Sequence, residues 1–304
     1  MLAGALVSAT LAWTPLPAAP LERSEVGAAR VGGSIYVVGG FGAGSGTTRA
    51  VERYDIARRR WQHARAMPDA LNHPVAVAYR GRLYVSGGYA GESSLSLPSR
   101  ALLRYDPGRR RWKRLAPAHT ARAAHAAAAI DGRLYVAGGA NESGSLRSLE
   151  IYDFARNRWR SGPDLRGPAR NHTTGVASGG LFYVLAGRDA RNYTSVDRYD
   201  PRRGRWLKPL EMGTARGGVA AARLRDGRIV VFGGEDLSPG GETIPEVELF
   251  DPRTRRWTRL PDMRTPRHGL GGAALGNRVF AVEGGVVPGF SLSNAIEFLD
   301  VPAR

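Results

Sequence analysis

Six tryptophans divide the chain into units of about fifty residues. They are Trp13, Trp61, Trp112, Trp159, Trp206 and Trp257, at intervals of 48, 51, 47, 47 and 51 residues. A period of this length, without a long helical pattern, points to a propeller, a solenoid or a repeat array. Each unit then needs its neighbours to bury its faces. The 304 residues are therefore expected to form one domain, 1–304, although length alone would suggest two.

The third unit shows the internal plan. Apolar runs at 122–130, 133–137 and 149–152 and a run around Trp159 are separated by turn signals. Four such runs read as four strands, a to d. Asp131-Gly132 between the first two is a tight hairpin signal. An aromatic-Asp pair recurs at Tyr54-Asp55, Tyr105-Asp106, Tyr152-Asp153, Tyr199-Asp200 and Phe250-Asp251, each aromatic seven residues before its tryptophan. A glycine follows each tryptophan at 27 or 28 residues: Gly40, Gly88, Gly139, Gly187, Gly234 and Gly284. The stretch from that glycine to the next aromatic varies in length, so variation is confined to the b–c loop. A rigid scaffold with one variable loop per unit is where binding residues are usually carried.

The diglycine after strand b, the aromatic-Asp pair on strand c and the tryptophan on strand d together resemble Kelch repeats over essentially the whole chain. The resemblance implies an all-β, six-bladed β-propeller of four-stranded blades. The last unit ends at Phe298-Leu299-Asp300 without a tryptophan strand, whereas Trp13 opens the chain as an orphan. The strand around Trp13 is expected to complete the last blade and close the ring. Two units depart from the pattern, with Ala186-Gly187 and Glu283-Gly284 in place of Gly-Gly. In the sixth, a one-residue bulge that makes Gly284-Gly285 the pair is also open.

Composition narrows the classes of function. The chain has no cysteine, which excludes disulfides, thiolate metal sites and cysteine nucleophiles. It has no apolar stretch long enough for a transmembrane helix. Of 44 basic residues only Lys113 and Lys208 are lysine, and the formal charge is +17. An arginine bias this strong fits a GC-rich genome, and no nucleic-acid motif accompanies it, so no specific nucleic-acid binding is expected. Residues 2–12 are apolar like the core of an export signal but lack a positive leader and run into Trp13. A remnant export signal and a plain N-terminal strand are both open, and export is mildly favoured.

Antiparallel connectivity puts the a–b and c–d turns on one face and the b–c loops and d–a links on the other. The c–d turns are arginine-rich, at 58–60, 109–111, 202–205 and 253–256 among others. On the opposite face, Arg23, Arg122, Arg170, Arg216 and Arg267 stand where each d–a link meets strand a, with Leu71-Asn72-His73 in the second unit. These positions are expected to converge on the channel mouth, where arginine's planar fork suits carboxylates. With Asn72, Tyr89 and Arg188 they form the candidate ligand-binding set. The bland alternative is that the arginines tie blades together by pairing with acidic neighbours. Glu283 and Glu235 are weak candidates for acid/base chemistry. His73, His125, His172 and His268 sit one per blade, which is not a metal-ligand spacing, so neither metal nor cofactor is expected. The expected function is a monomeric binding module that holds a protein partner or an anionic ligand, an acidic glycan or small molecule, on the b–c/d–a loop face. Two alternatives are an enzyme resembling N-acetylneuraminate epimerase, with the arginines as a carboxylate clamp, and a structural or cell-surface propeller.

Overall fold

In the computed structural model, which describes residues 11–304, the chain is a ring of six antiparallel four-stranded blades. The first ten residues, and with them most of the segment expected as an export signal, lie outside the described residues. Blade 1 comprises Gly27–Val31, Ser34–Val38, Val51–Asp55 and Arg60–His63. Its innermost strand has counterparts at Val75–Tyr79, Ala126–Ile130, Thr174–Ser178, Ala220–Arg223 and Gly271–Leu275 in blades 2 to 6. These strands lie against one another in a closed cycle around the axis. Fifth-blade strands aside, most are five residues long, and no described helix is long and apolar enough to cross a membrane.

The recurring motifs are explained by strand register. Seven residues is the spacing that puts the strand-c aromatic directly opposite the tryptophan: Tyr54 pairs with Trp61, Tyr105 with Trp112 and Tyr152 with Trp159. Ring centroids in these pairs are 5.0, 4.8 and 5.2 Å apart. Such cross-strand aromatic pairs each contribute up to about 1 kcal/mol. The aspartate of the motif closes the c–d turn. Asp55 Oδ1 accepts the Arg58 amide at 3.0 Å, and Asp106 and Asp153 do the same for Arg109 and Arg156 at 3.1 and 2.9 Å. The a–b hairpin at Asp131-Gly132 has φ of 44° and 80°, the two positive values of a type I′ turn.

The tryptophans also stitch blade to blade. The indole N–H of Trp61 donates to Pro17 O, Trp112 to Arg65 O, Trp159 to Ala116 O and Trp206 to Pro163 O, each carbonyl lying just past strand d of the preceding blade. At the centre, crowding demands small side chains. A Cβ on Gly175 would come within 2.5 Å of the Ala127 nitrogen in the neighbouring blade.

Ring closure follows the expected route. Thr14 and Pro15 pair with Phe298 and Glu297, so the N-terminal strand is the outermost strand of blade 6. Trp13 packs on Phe232 of blade 5, and Leu11 packs against the same cluster. The sixth unit contains no bulge. Glu283 has φ 54° and Gly284 φ 104°, matching Gly39 (64°) and Gly40 (91°), and Ala186 at 55° takes the first glycine's place in blade 4. Isolated bridges fix this register: His268 faces Gly285 as Ser24 faces Phe41 and Asn72 faces Tyr89.

Trp159 is buried, stacks on Tyr152 and bonds the neighbouring blade. Trp159→Ala is expected to cost about 3–5 kcal/mol, as for other buried large-to-small changes, read as a lowered midpoint in urea unfolding.

Candidate functional site at the channel mouth

The inner strands line an axial cavity of about 370 Å³, walled mainly by alanine, glycine and valine. Glu25, His73 and His172 stand at one end of it and Arg30 and Arg223 at the other. The first end is the mouth on the b–c loop face.

The five arginines expected to ring this mouth are inside the blades. Arg23, Arg122, Arg170, Arg216 and Arg267 are all at most 1% exposed. Each meets a buried strand-c carboxylate: Glu52 at 3.0 Å, Glu150 at 2.8 Å, Asp197 at 2.9 Å, Glu248 at 2.9 Å and Glu297 at 3.2 Å. Each also donates to carbonyls of its own blade, as Arg122 does to Gly138 O at 2.8 Å and Ser148 O at 3.1 Å. One guanidinium thus clamps the start of strand a to the end of strand b and the start of strand c. Burial of a cation is tolerated when it is paired in this way, and the one guanidinium nitrogen that each arginine leaves without an acceptor is itself buried, so none faces the mouth. The arginines are therefore spent within their blades and not on an anion-binding ring; the alternative of ties between blades holds for Arg23 alone, which also reaches Glu283 of blade 6.

What faces the axis lies two residues further along. Glu25, His73, Ala124, His172, Gly218 and Gly269 occupy equivalent places in blades 1 to 6, all in left-handed conformation with φ between 48° and 70°. Their backbones join hand to hand around the axis. His73 N donates to Glu25 O at 2.9 Å and Ala124 N to His73 O at 3.1 Å. The circuit runs on through Thr173 N to Ala124 O, Gly218 N to His172 O and Gly269 N to Gly218 O, and closes at Val26 N to Gly269 O, 3.2 Å. A left-handed residue other than glycine costs about 1–2 kcal/mol, so side chains held there point to a function for the site.

Those side chains converge. Glu25 lies 3.1 Å from His73 Nε2 and 3.2 Å from His268 Nδ1, and the Nε2 atoms of His73 and His172 are 3.0 Å apart. Burial by itself would raise the Glu25 pKa, but His73, His268 and His172 outweigh it and hold the carboxyl well below its ordinary range. Burial pushes His73 down and His172 well down. His268 is raised in spite of burial, because Glu25 and Glu235 face it. His125 takes no part: it is buried against Ser86 Oγ at 2.9 Å, and burial drives its pKa to about 3.

The remaining candidates frame this cluster. Arg188 bonds Glu235 at 2.7 Å, and Glu235 also accepts the Gly289 amide at 2.7 Å. Asn72 Oδ1 lies 2.7 Å from His73 Nδ1, and the Tyr89 ring stands edge-on to His73 at 5.7 Å. Glu25 and the grouping of His73 with His172 escaped the sequence reading. Aligning the residue two places after each arginine across the six units exposes them.

A family model described as the KLHDC2/KLHL20/DRC7 Kelch-repeats domain matches residues 28–216, and one for the Kelch motif matches residues 220–264. The chain belongs to the Kelch-repeat family. It is 40% identical to Homo sapiens Kelch-like protein 34 over 126 residues, 41% of this chain and 20% of that protein. Against Kelch repeat and BTB domain-containing protein 1 of cowpox virus (strain Brighton Red), identity is 30% over 117 residues, 38% of this chain and 20% of that protein. The matched stretch spans about a fifth of these curated relatives. The solved structure of YjhT superposes with a TM-score of 0.80 over 95% of this chain and 98% of that one; at 16% identity the likeness is one of fold.

Within the Kelch pattern, blade 2 is the informative exception. The arginine's place belongs to Leu71, not Asn72, and the carboxylate's place on strand c belongs to Leu103. Both leucines are buried in one apolar cluster. The ion pair has been exchanged as a unit for a hydrophobic contact, as physics requires, since either partner alone would be an unpaired buried charge.

The seam between blades 6 and 1 is the second exception. Glu283, in the first-glycine position, reaches Arg23 at 3.0 Å, so one guanidinium serves both Glu283 and Glu52. Burial is the main force raising the Glu283 pKa to about 8; Arg23 opposes it and Glu52 adds to it. Neither Glu283 nor Glu235 is a free acid/base group.

Two outcomes are expected. Arg122→Leu should cost about 3–5 kcal/mol by stranding Glu150, and Arg122→Leu/Glu150→Leu should cost less than that single change; a double-mutant cycle in denaturant checks the sign. For Glu283, folding raises the pKa, so the folded state holds its proton to higher pH than the unfolded chain. The stabilising contribution is complete below about pH 4.5 and is lost as pH rises to about 8. Glu283→Gln should flatten the decline in melting temperature across that window.

Proposed function

We propose that this Kelch propeller is a protein-binding module that engages its partner with the b–c loop face, through apolar loop tips. The observation that carries the reading is where exposed apolar side chains lie. Leu95, Leu97, Leu237, Val286, Val287 and Phe290 are 40–62% exposed, and all sit on b–c loops of blades 2, 5 and 6. Among the described residues only Leu275, at 38%, is a comparably exposed large hydrophobe elsewhere. Exposed apolar side chains gathered on one face mark interaction sites. Phe290 leans on Phe41 at 5.2 Å, which links the loop tip to the mouth.

Charge separates the two faces. The b–c loops carry five arginines and eight carboxylates, whereas the net charge of the chain is +17 and its arginine clusters lie on the c–d turns. Steering of an anionic ligand would therefore favour the c–d face. The anion-binding version of the reading loses its support on the loop face, since its arginines are spent in buried pairs. The partner surface that fits here is apolar, with a neutral or basic border. The likeness to Kelch-like proteins supports a role in protein interaction but does not extend to those proteins' own partners, because the chain matches only a fifth of their length.

The test is affinity capture with three baits: wild type, Leu97→Asp/Phe290→Asp on the loop face, and Arg110→Asp/Arg203→Asp on the c–d face. A partner retained by wild type and by the c–d variant but lost with the loop variant is the expected outcome. Retention by the loop variant with loss by the c–d variant would place the interface on the basic face and overturn the reading.

A further inference from the structure

We propose that Glu25, His73 and His172 bind a divalent transition-metal ion of the zinc class at the channel mouth, tying blades 1, 2 and 4 together across the axis. The argument rests on which atoms carry protons. His73 Nδ1 faces Asn72 Oδ1 at 2.7 Å, and His172 Nδ1 faces Asn171 Oδ1. The amide orientations are set from behind. Asn72 Nδ2 donates to the Ser94 carbonyl at 3.3 Å and to Thr47 Oγ1 at 2.8 Å. Asn171 Nδ2 donates at 2.7 Å to Ser145 Oγ, whose own proton goes to Asp189 Oδ1 at 2.7 Å. Both Oδ1 atoms are therefore acceptors, and both imidazoles carry their proton on Nδ1.

It follows that both Nε2 atoms present bare lone pairs. They point at each other across 3.0 Å, and His73 Nε2 stands 3.1 Å from a Glu25 oxygen. Three acceptor atoms, all within 4.8 Å of one another, share a point where nothing donates. A cation resolves that conflict. Two imidazoles and a carboxylate, each imidazole held by an outer oxygen, is a transition-metal donor set with its supporting shell. A tetrahedral zinc ion with bonds of about 2.1 Å spaces its ligand atoms about 3.4 Å apart, close to the separations here. Phe41 and Tyr89, at 5.8 and 5.7 Å from the His73 ring, supply an apolar surround.

A second grouping, Glu25, Glu235 and His268, is equally tight but already satisfied. His268 Nε2 faces the Val287 carbonyl at 3.1 Å and Nδ1 faces both carboxylates, while Glu235 is held by Arg188 and the Gly289 amide. His268 serves instead to steady the second oxygen of Glu25.

The repeat supplies a clean variant. Gly218 and Gly269 occupy the same left-handed position as His172, so His172→Gly relieves backbone strain and keeps the fold. Protein stripped with EDTA would be titrated with ZnCl2 by calorimetry and with CoCl2 by visible absorption. The expected result is one ion per chain with the d–d bands of four-coordinate cobalt. His172→Gly should abolish it, Asn171→Ala should weaken it about 10- to 100-fold, and His119→Ala, on an exposed outer link, should leave it unchanged. Absence of binding in wild type, or binding by a folded His172→Gly that equals wild type, would overturn the proposal and leave a shared proton as the cation between the rings.

Discussion

The buried guanidinium clamp is the interaction on which this propeller's mouth depends. In five blades one arginine holds the start of strand a to a strand-c carboxylate and to carbonyls of its own blade. A cation this deeply buried has one low-energy arrangement, because any shift strands a charge at a cost of several kcal/mol. It therefore fixes the path of the link just before strand a. The residue two places on is left-handed and turned toward the axis in all six blades, and its backbone joins the ring of amide-to-carbonyl bonds through Glu25, His73, Ala124, His172, Gly218 and Gly269. Blade 2 shows that the geometry, not the charge, is what the fold requires. Leu71 and Leu103 replace the pair, and His73 still takes φ 54°.

The two faces of the ring are built for different tasks by the same connectivity. Each c–d turn is a short, aspartate-closed reversal with exposed arginines, set by the seven-residue register between strand-c aromatic and tryptophan. Each b–c loop is free of that constraint and varies in length and content. Apolar tips at Leu97, Leu237 and Phe290 are products of that freedom, whereas the histidine–carboxylate cluster beneath them stands on the entries to strand a. The rigid lower face lets the upper one vary without loss of the core.

Much of the architecture was legible because it is periodic. Tryptophan spacing, the aromatic-Asp pair and the diglycine each reflect a local register or turn, and local rules repeat. The orphan Trp13 announced the closing strand, which pairs with the strand ending at Asp300. The site was less legible. Arginines at a predicted mouth looked like ligands because sequence gives position along a strand but not depth. Their partners lie 27 to 32 residues away, on strand c. Glu25 escaped notice because its neighbours His73, His172 and His268 belong to other blades.

By itself, then, the sequence determined the six-fold repeat, the four-stranded blade and the order of turns and loops, since each follows from hydrogen-bond register and apolar periodicity within about fifty residues, and the unpaired Trp13 strand indicated how the ring closes. Only the tertiary structure decided which charges are consumed inside and which side chains meet at the axis. Both depend on bringing residues as distant as Glu25 and His268 within hydrogen-bond reach. That proximity comes from the curvature of the whole ring, which no single repeat encodes.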